Sequence, residues 1–149
     1  FWSGIGYPEG VPITDSSFKF DLSKYPNFKE IVDRLGLVEH EEFDIKVKLF
    51  CQRPGQMLPT HIDNYKKASE EKTSEIALTA LRFVVALNDW DIGHYWHFGN
   101  AVWKQWKKGD CVHWHRTMAH GTANTGHSDR LSLQITGIPS EKTFKLIHS

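Results

Sequence analysis

The chain has 149 residues, of which 40% are hydrophobic and 24% charged, and this predicts one globular domain spanning residues 1–149. Lys and Arg total 18 and Asp and Glu total 18, so a basic nucleic-acid-binding or membrane-surface protein is not predicted. No stretch approaches the roughly 20 apolar residues of a membrane span. We therefore expect a cytoplasmic protein with neither nucleic acid nor membrane as a partner. The sequence predicts no oligomeric state.

One helix is predicted near the N-terminus, after an irregular segment, 1–20, that is punctuated by Gly and Pro. Asn27 is a plausible N-cap, because Glu30 follows three residues later as in a capping box. Gly36 is a natural end for this helix. Between these limits the apolar residues recur at helical spacing: Phe28, Ile31, Val32 and Leu35.

From residue 44 onward the pattern changes to the short apolar and alternating runs of β-strands. The predicted strands are 44–52, 58–65, 76–88, 93–98, 101–106, 111–116, 120–124 and 130–136. The polar segment 66–75 is predicted to be a mobile loop, with a short exposed helix as the alternative. One helix followed by many short strands predicts a mainly β fold, a sandwich or jelly roll with a cavity at one end.

The two cysteines, Cys51 and Cys111, are too few for a disulfide framework and are predicted to be unpaired thiols in the core. Histidine is more informative, because most of the 9 histidines fall between residues 61 and 127. This clustering indicates where the chemistry lies.

His61 and Asp63 are two residues apart, so in a strand both side chains point to one face and can reach one metal ion. Taken alone, the pair is better explained as a surface histidine and a turn aspartate, because His-x-Asp is common by chance. The segment 109–137 adds four histidines. One of them would complete the two-histidine, one-carboxylate set that is typical of non-haem iron(II) oxygenases.

Arg130 and Ser132 open a strand whose alternation points both side chains to the same face. A guanidinium binds a carboxylate through two parallel hydrogen bonds, and a hydroxyl adds another. The pair therefore predicts a binding site for a carboxylate, ten residues after His120.

The order of these motifs resembles that of the Fe(II)/2-oxoglutarate-dependent oxygenase superfamily. The resemblance rests on His-x-Asp at 61–63, a distal histidine at His120 and Arg-x-Ser at 130–132, and it covers about 44–137. The segments RFVVALND and HGTANTG…DRLSLQITG look most like the prolyl and aspartyl/asparaginyl hydroxylases. The resemblance implies a double-stranded β-helix, a cupin-like jelly roll, with one or two flanking helices.

The resemblance also implies the cofactors and the reaction. Fe(II) would be bound by His61, Asp63 and His120, and the far carboxylate of 2-oxoglutarate by Arg130 and Ser132. With O2, such a dioxygenase hydroxylates a substrate, here an amino-acid or peptidyl one, and converts 2-oxoglutarate to succinate. Asp63 favours hydroxylation, because halogenating relatives replace that carboxylate. The prime substrate itself is not predicted.

Two other classes remain open on the sequence. A cupin-like metalloenzyme that does not use 2-oxoglutarate would need the histidines but not Arg130 and Ser132. A non-catalytic jelly-roll binding module would make the ordered motifs a coincidence of spacing.

Further polar residues are candidates for binding the co-substrate, with ordinary scaffold hydrogen bonding as the equal alternative. Tyr65 lies two residues after Asp63, Arg82 heads an apolar strand and needs a partner, and Asn124 lies four residues after His120. His115 competes with His120 as the distal ligand, although the spacing to the arginine favours His120. The remaining histidines are predicted to be turn, surface or substrate-contacting residues, with His94 and His97 as the possible substrate contacts.

Overall fold

A computed structural model describes residues 17–65 and 74–149. Three α-helices lie in these ranges: α1 Pro26–Leu35, α2 Glu75–Thr79 and α3 Glu141–Ile147. The strands are β1 Ser17–Phe20, β2 Leu37–Val38, β3 Lys46–Gln52, β4 Met57–His61, β5 Leu81–Ala86, β6 His94–Phe98, β7 Ala101–Trp103, β8 Cys111–Trp114, β9 His120–Asn124 and β10 Arg130–Pro139. None of the described helices is long and apolar enough to cross a membrane.

The strands form two antiparallel sheets. The first has the order β1-β3-β10-β5-β8, with β2 paired to the end of β10, and the second has the order β4-β9-β6-β7. From β3 onward the chain passes back and forth between them, with β3, β5, β8 and β10 in the first sheet and β4, β6, β7 and β9 in the second. This double winding is a double-stranded β-helix, so the predicted fold class is confirmed.

The two faces of the first sheet have different partners. Its outer face packs against α1 through a buried apolar cluster: Val32, Leu37, Val47, Phe83, Leu133 and Ile135. Its inner face meets the second sheet through another: Val84, Ala86, Trp96, Trp106 and Trp114. Because side chains alternate along a strand, the residues of β10 between those of the outer cluster face inward. These are Arg130, Ser132, Gln134 and Thr136.

Helix α1 begins earlier than its sequence pattern predicts. Tyr25 is the N-cap and Pro26 the first helical residue, so the prediction of Asn27 as the cap is wrong. Proline suits this position because its ring presets the helical φ and its missing N–H would have no partner in the first turn. The predicted end is confirmed, since Gly36 caps the helix with a φ of 72°.

Several other predictions need correction. Segment 17–20, predicted to be irregular, is β1, which pairs with β3. The apolar run 76–88 is divided into α2 and β5, because the Ser74 hydroxyl accepts a hydrogen bond from the backbone of Ala77 and caps a helix. The position of α3 was not predicted. Of the loop predicted at 66–75, residues 66–73 lie outside the described ranges.

The cysteine prediction is half right. Both thiols are free, as expected. Cys51 is half-buried, whereas Cys111 is exposed and therefore not a core residue.

Gly93 lies in the turn before β6, where two backbone segments approach closely. A Cβ at Gly93 would lie 2.3 Å from the backbone nitrogen of Gly126, and the Gly93 φ is 97°. We expect Gly93→Ala to lower the free energy of unfolding by about 3 kcal/mol or more, since the clash adds to left-handed strain.

Gly55 is the matched control for this substitution. It also has a positive φ, 84°, but no atom of the described residues lies within 4 Å of an added Cβ. Gly55→Ala should therefore lower the free energy of unfolding, measured with urea, only by the cost of the left-handed strain, about 1–2 kcal/mol. Equal losses in the free energy of unfolding for Gly93→Ala and Gly55→Ala would contradict the close backbone approach at Gly93.

Candidate metal centre and the pocket beside it

Three potential ligands converge at one end of the second sheet, where β4 ends and β9 begins. His61 is the last residue of β4 and lies opposite His120, the first residue of β9. Asp63 follows β4, and its backbone N–H donates to the carbonyl of Arg116 at 2.9 Å. One atom from each of the three side chains lies within 4.8 Å of the others. Because β4 ends at His61, Asp63 is positioned by irregular backbone just past the strand and not, as predicted, by strand alternation.

Both histidines are held in the tautomer that binds a metal. The Nδ1 of His61 lies 2.7 Å from the carbonyl oxygen of Pro59, and the Nδ1 of His120 lies 2.9 Å from that of Met118. A carbonyl only accepts, so each Nδ1 carries a proton, which leaves Nε2 as the ring atom that can bind a metal. These Nε2 atoms lie 4.0 and 3.7 Å from Oδ1 of Asp63. Burial also lowers the pKa of His120, which keeps this imidazole neutral.

The Asp63 carboxylate is buried and its oxygens are fixed by three donors. The guanidinium of Arg82 donates to Oδ1. The indole N–H of Trp114 donates to Oδ2 at 2.9 Å, and the Tyr65 hydroxyl lies 3.5 Å from the same oxygen. Burial raises the pKa of Tyr65, so its hydroxyl stays protonated and remains a donor. Oδ1, which faces both histidines, is the oxygen positioned to meet a cation.

Trp114 positions Asp63 without being a candidate ligand. In Trp114→Phe the indole donor is lost, and we expect metal affinity to fall by about 10- to 100-fold, as is usual for groups that orient a ligand. The measurement is Zn²⁺ or Fe²⁺ binding by isothermal titration. Trp90→Phe is the matched control, since the indole of Trp90 donates to the backbone carbonyl of His94 and not to the carboxylate. Equal losses in the two variants would contradict the positioning role.

Arg130 and Ser132 lie together in the interior, both 4% exposed. The guanidinium of Arg130 is 4.4 Å from the ring centre of Trp96, and its Nη2 lies 3.4 Å from the Thr122 hydroxyl. Among the described residues, nothing accepts a hydrogen bond from its Nε or Nη1. Burial lowers the pKa of Arg130 to about 10. A buried cation with unused donors is a strong candidate to bind an anion.

The cavity in front of Arg130 is small. Its volume is about 30 Å³, and Trp96, Gln52 and Gln134 are among its lining residues. This space admits a water molecule. A dicarboxylate that reached Arg130 would have to displace neighbouring side chains.

The other predicted residues divide between the cluster and the scaffold. Tyr65 and Arg82 both contact Asp63. Asn124 is occupied within the scaffold, since its amide donates to the carbonyls of Gln52 and Ser128 and accepts from the backbone of Gly126.

His115, the competing ligand, and His94 and His97, the possible substrate contacts, lie outside the cluster. His115 is exposed and outside the cluster. His94 is fully buried beneath Trp106. His97 pairs with the hydroxyl of Thr60 at 3.0 Å.

A second pocket, of about 140 Å³, lies beside the cluster and was not predicted from the sequence. Lys46, Lys48 and Arg82 line it, together with Tyr65. The sequence pattern that could have indicated this pocket is the alternation of β3, which separates the lysines from the apolar residues that face α1.

Comparisons with known proteins return distant likenesses. No protein-family model matches the chain, and no curated protein does. An RmlC-like cupin protein from Desulfovibrio desulfuricans is 21% identical, covering 70% of this chain and 80% of that chain, with a TM-score of 0.44. A conserved protein with a double-stranded β-helix domain from Klebsiella pneumoniae is 18% identical, covering 68% and 72%, with a TM-score of 0.44. KdgF from Halomonas sp. is 10% identical, covering 70% and 77%, with a TM-score of 0.46. The fold assignment rests on the strand order and not on these likenesses.

Proposed function

We propose that this protein is an Fe(II)- and 2-oxoglutarate-dependent dioxygenase that hydroxylates an amino-acid or peptidyl substrate. The observation that carries the proposal is the convergence of His61, Asp63 and His120, which each place one ligand atom within 4.8 Å of the other two. Three ligands on one face leave the opposite face of the metal open to other ligands.

The charge balance of the site supports a dianionic co-substrate. Asp63 and Arg82 cancel each other, so a bound divalent cation would leave a net positive charge. Buried net charge is costly, and 2-oxoglutarate would offset it. Arg130 lies within reach, because Thr122, which contacts it, is two residues and about 7 Å along β9 from His120.

Each residue has a distinct task in this proposal. His61, Asp63 and His120 hold the metal, and Arg82, Trp114 and Tyr65 fix the carboxylate. Arg130 and Ser132 bind the far carboxylate of 2-oxoglutarate. Bound Fe(II) with 2-oxoglutarate and O2 supplies the oxidising chemistry, in which a substrate C–H becomes C–OH while 2-oxoglutarate becomes succinate and CO2.

One observation favours a second candidate, a cupin-like metalloenzyme that does not use 2-oxoglutarate. The cavity in front of Arg130 holds about 30 Å³, which is too small for a dicarboxylate without rearrangement. In this candidate the metal site remains, and Arg130 is a structural cation packed against Trp96.

The test is succinate formation from 2-oxoglutarate by the Fe(II)-loaded protein in air, with anaerobic and metal-free samples as controls. Slow succinate formation without prime substrate is expected, and it should require both Fe(II) and O2. Bound metal without succinate would support the cupin-like metalloenzyme. A protein that binds no metal would contradict both enzymes and leave a jelly-roll binding module.

A further inference from the structure

A cationic pocket lies on the inner face of the first sheet, next to the metal-ligand cluster. In the sheet, Thr136 of β10 lies between its partners Lys46 of β3 and Arg82 of β5. Two residues earlier on β10, Gln134 pairs with Lys48. Alternation points these side chains to the inside, because Val47 between the lysines packs in the outer core. The pocket encloses about 140 Å³.

The positive charge of this pocket is compensated only in part. The Lys46 ammonium lies 4.9 Å from the ring centre of Phe43, and the Asp44 carboxylate raises the pKa of Lys46 against larger effects that lower it. Of the three cations, Arg82 is paired with Asp63. Within 17–65 and 74–149, neither Lys46 nor Lys48 has a carboxylate oxygen within 4.0 Å of its ammonium. Burial, followed by the neighbouring cations, lowers the pKa of both lysines. The fold therefore holds like charges together in a half-buried space, at an energetic cost that a bound anion would remove.

The pocket is joined to the candidate metal centre through shared residues. Arg82 and Tyr65 line it, and both contact the carboxylate of Asp63. A molecule that places an anionic group between the lysines would thus have its adjoining atoms beside the cluster. The volume is close to the ~150 Å³ of a cavity that admits benzene, enough for a carboxylate or phosphate with a short stem.

This pocket adjoins the site predicted for 2-oxoglutarate but has its own cations. Lys48 lies opposite Gln134, which is four residues, about 13 Å, along β10 from Arg130. Gln134 lines both cavities, whereas Arg130, with its unused donors, lines only the smaller one and the two lysines line only the larger one. The interior therefore offers two places for an anion, whereas the co-substrate needs one besides the metal.

We propose that Lys46 and Lys48 bind a carboxylate or phosphate group of the prime substrate, so that the enzyme acts on an acidic molecule or on an acidic side chain of a peptide. The assignment of this anion to the prime substrate rests on the proposed oxygenase function. The presence of the anion site itself rests on the pocket alone.

The experiment compares two anions in two variants. Inorganic phosphate binding to the metal-free protein is followed by ³¹P line broadening, and 2-oxoglutarate binding to the Fe(II)-loaded protein by its visible absorption under nitrogen. In the double variant Lys46→Met, Lys48→Met we expect phosphate affinity to fall about tenfold or more, since charged hydrogen bonds are lost, while 2-oxoglutarate affinity stays within about twofold. In Arg130→Met we expect 2-oxoglutarate affinity to fall while phosphate affinity stays unchanged.

Lys104→Met is the matched control, because Lys104 is an exposed lysine that does not line the pocket. It should change neither affinity. Phosphate binding that is absent from the unmodified protein, or unchanged in the double variant, would overturn the proposal. A parallel fall in 2-oxoglutarate affinity in the double variant would also overturn it, because the pocket would then belong to the co-substrate. Failure of 2-oxoglutarate to bind the unmodified protein would instead contradict the proposed function, and phosphate binding would be unaffected.

Discussion

His61→Ala is expected to weaken Fe(II) binding by more than about 100-fold and to abolish metal-dependent turnover. Groups that merely orient a ligand are worth about 10- to 100-fold in metal affinity, so loss of a ligand should exceed that range. His61 is half-buried at the end of β4, so its truncation should leave the sheets intact. Metal content after dialysis and isothermal titration measure the effect.

His115→Ala is the matched control for this prediction, since it removes an exposed histidine five residues from His120. It should bind Fe(II) as the unmodified protein does. Asp63→Asn adds a second test, because the amide oxygen can still accept hydrogen bonds while the ligand charge is lost. Normal Fe(II) affinity in His61→Ala and Asp63→Asn would show that the cluster is not a metal site.

Arg130→Met is expected to weaken 2-oxoglutarate binding at least about 30-fold, with Fe(II) binding unchanged. Truncating one partner of a buried charged pair costs about 2–5 kcal/mol, which corresponds to this loss or more in Kd. The thermal stability of Arg130→Met, unlike its 2-oxoglutarate affinity, should not fall. The guanidinium is desolvated, as its lowered pKa of about 10 indicates, so an apolar replacement should unfold at an equal or higher temperature.

Arg130→Lys separates charge from geometry in the same assay. Lysine keeps the positive charge but cannot make two parallel hydrogen bonds to a carboxylate, so an intermediate affinity is expected. An Arg130→Met variant that binds 2-oxoglutarate normally would contradict the co-substrate assignment, and it would favour the cupin-like metalloenzyme.

Local sequence patterns were sufficient for most of the fold. The alternation in 44–52 predicted β3, and the runs 93–98 and 101–106 predicted β6 and β7, which pair through Phe98 and Ala101. Patterns failed where local chemistry outweighed them, as at Ser74, whose hydroxyl caps a short helix within an apolar run.

The candidate site was predicted as a set of residues but not as a geometry. The order of motifs identified His61, Asp63 and His120, and their metal binding stays a prediction. What fixes Asp63 is contact with Arg82 and Trp114, which lie 19 and 51 residues away in the sequence. Contacts over such separations depend on the pairing of whole strands, which a local pattern does not contain.

The cationic pocket shows a second limit of pattern analysis. Alternation in β3 separates two faces, one with Lys46 and Lys48 and one with Val47. It does not say which face points inward. The apolar face packs against α1, and so the lysines face the interior beside the cluster.

The most direct test of the central claim is an anaerobic titration of the Fe(II)-loaded protein with 2-oxoglutarate. Chelation of Fe(II) by the keto acid gives a weak visible charge-transfer band. We predict that this band appears, saturates with one equivalent of 2-oxoglutarate, and is lost in His61→Ala. Tight Fe(II) binding with no band at any 2-oxoglutarate concentration would contradict the proposed dioxygenase.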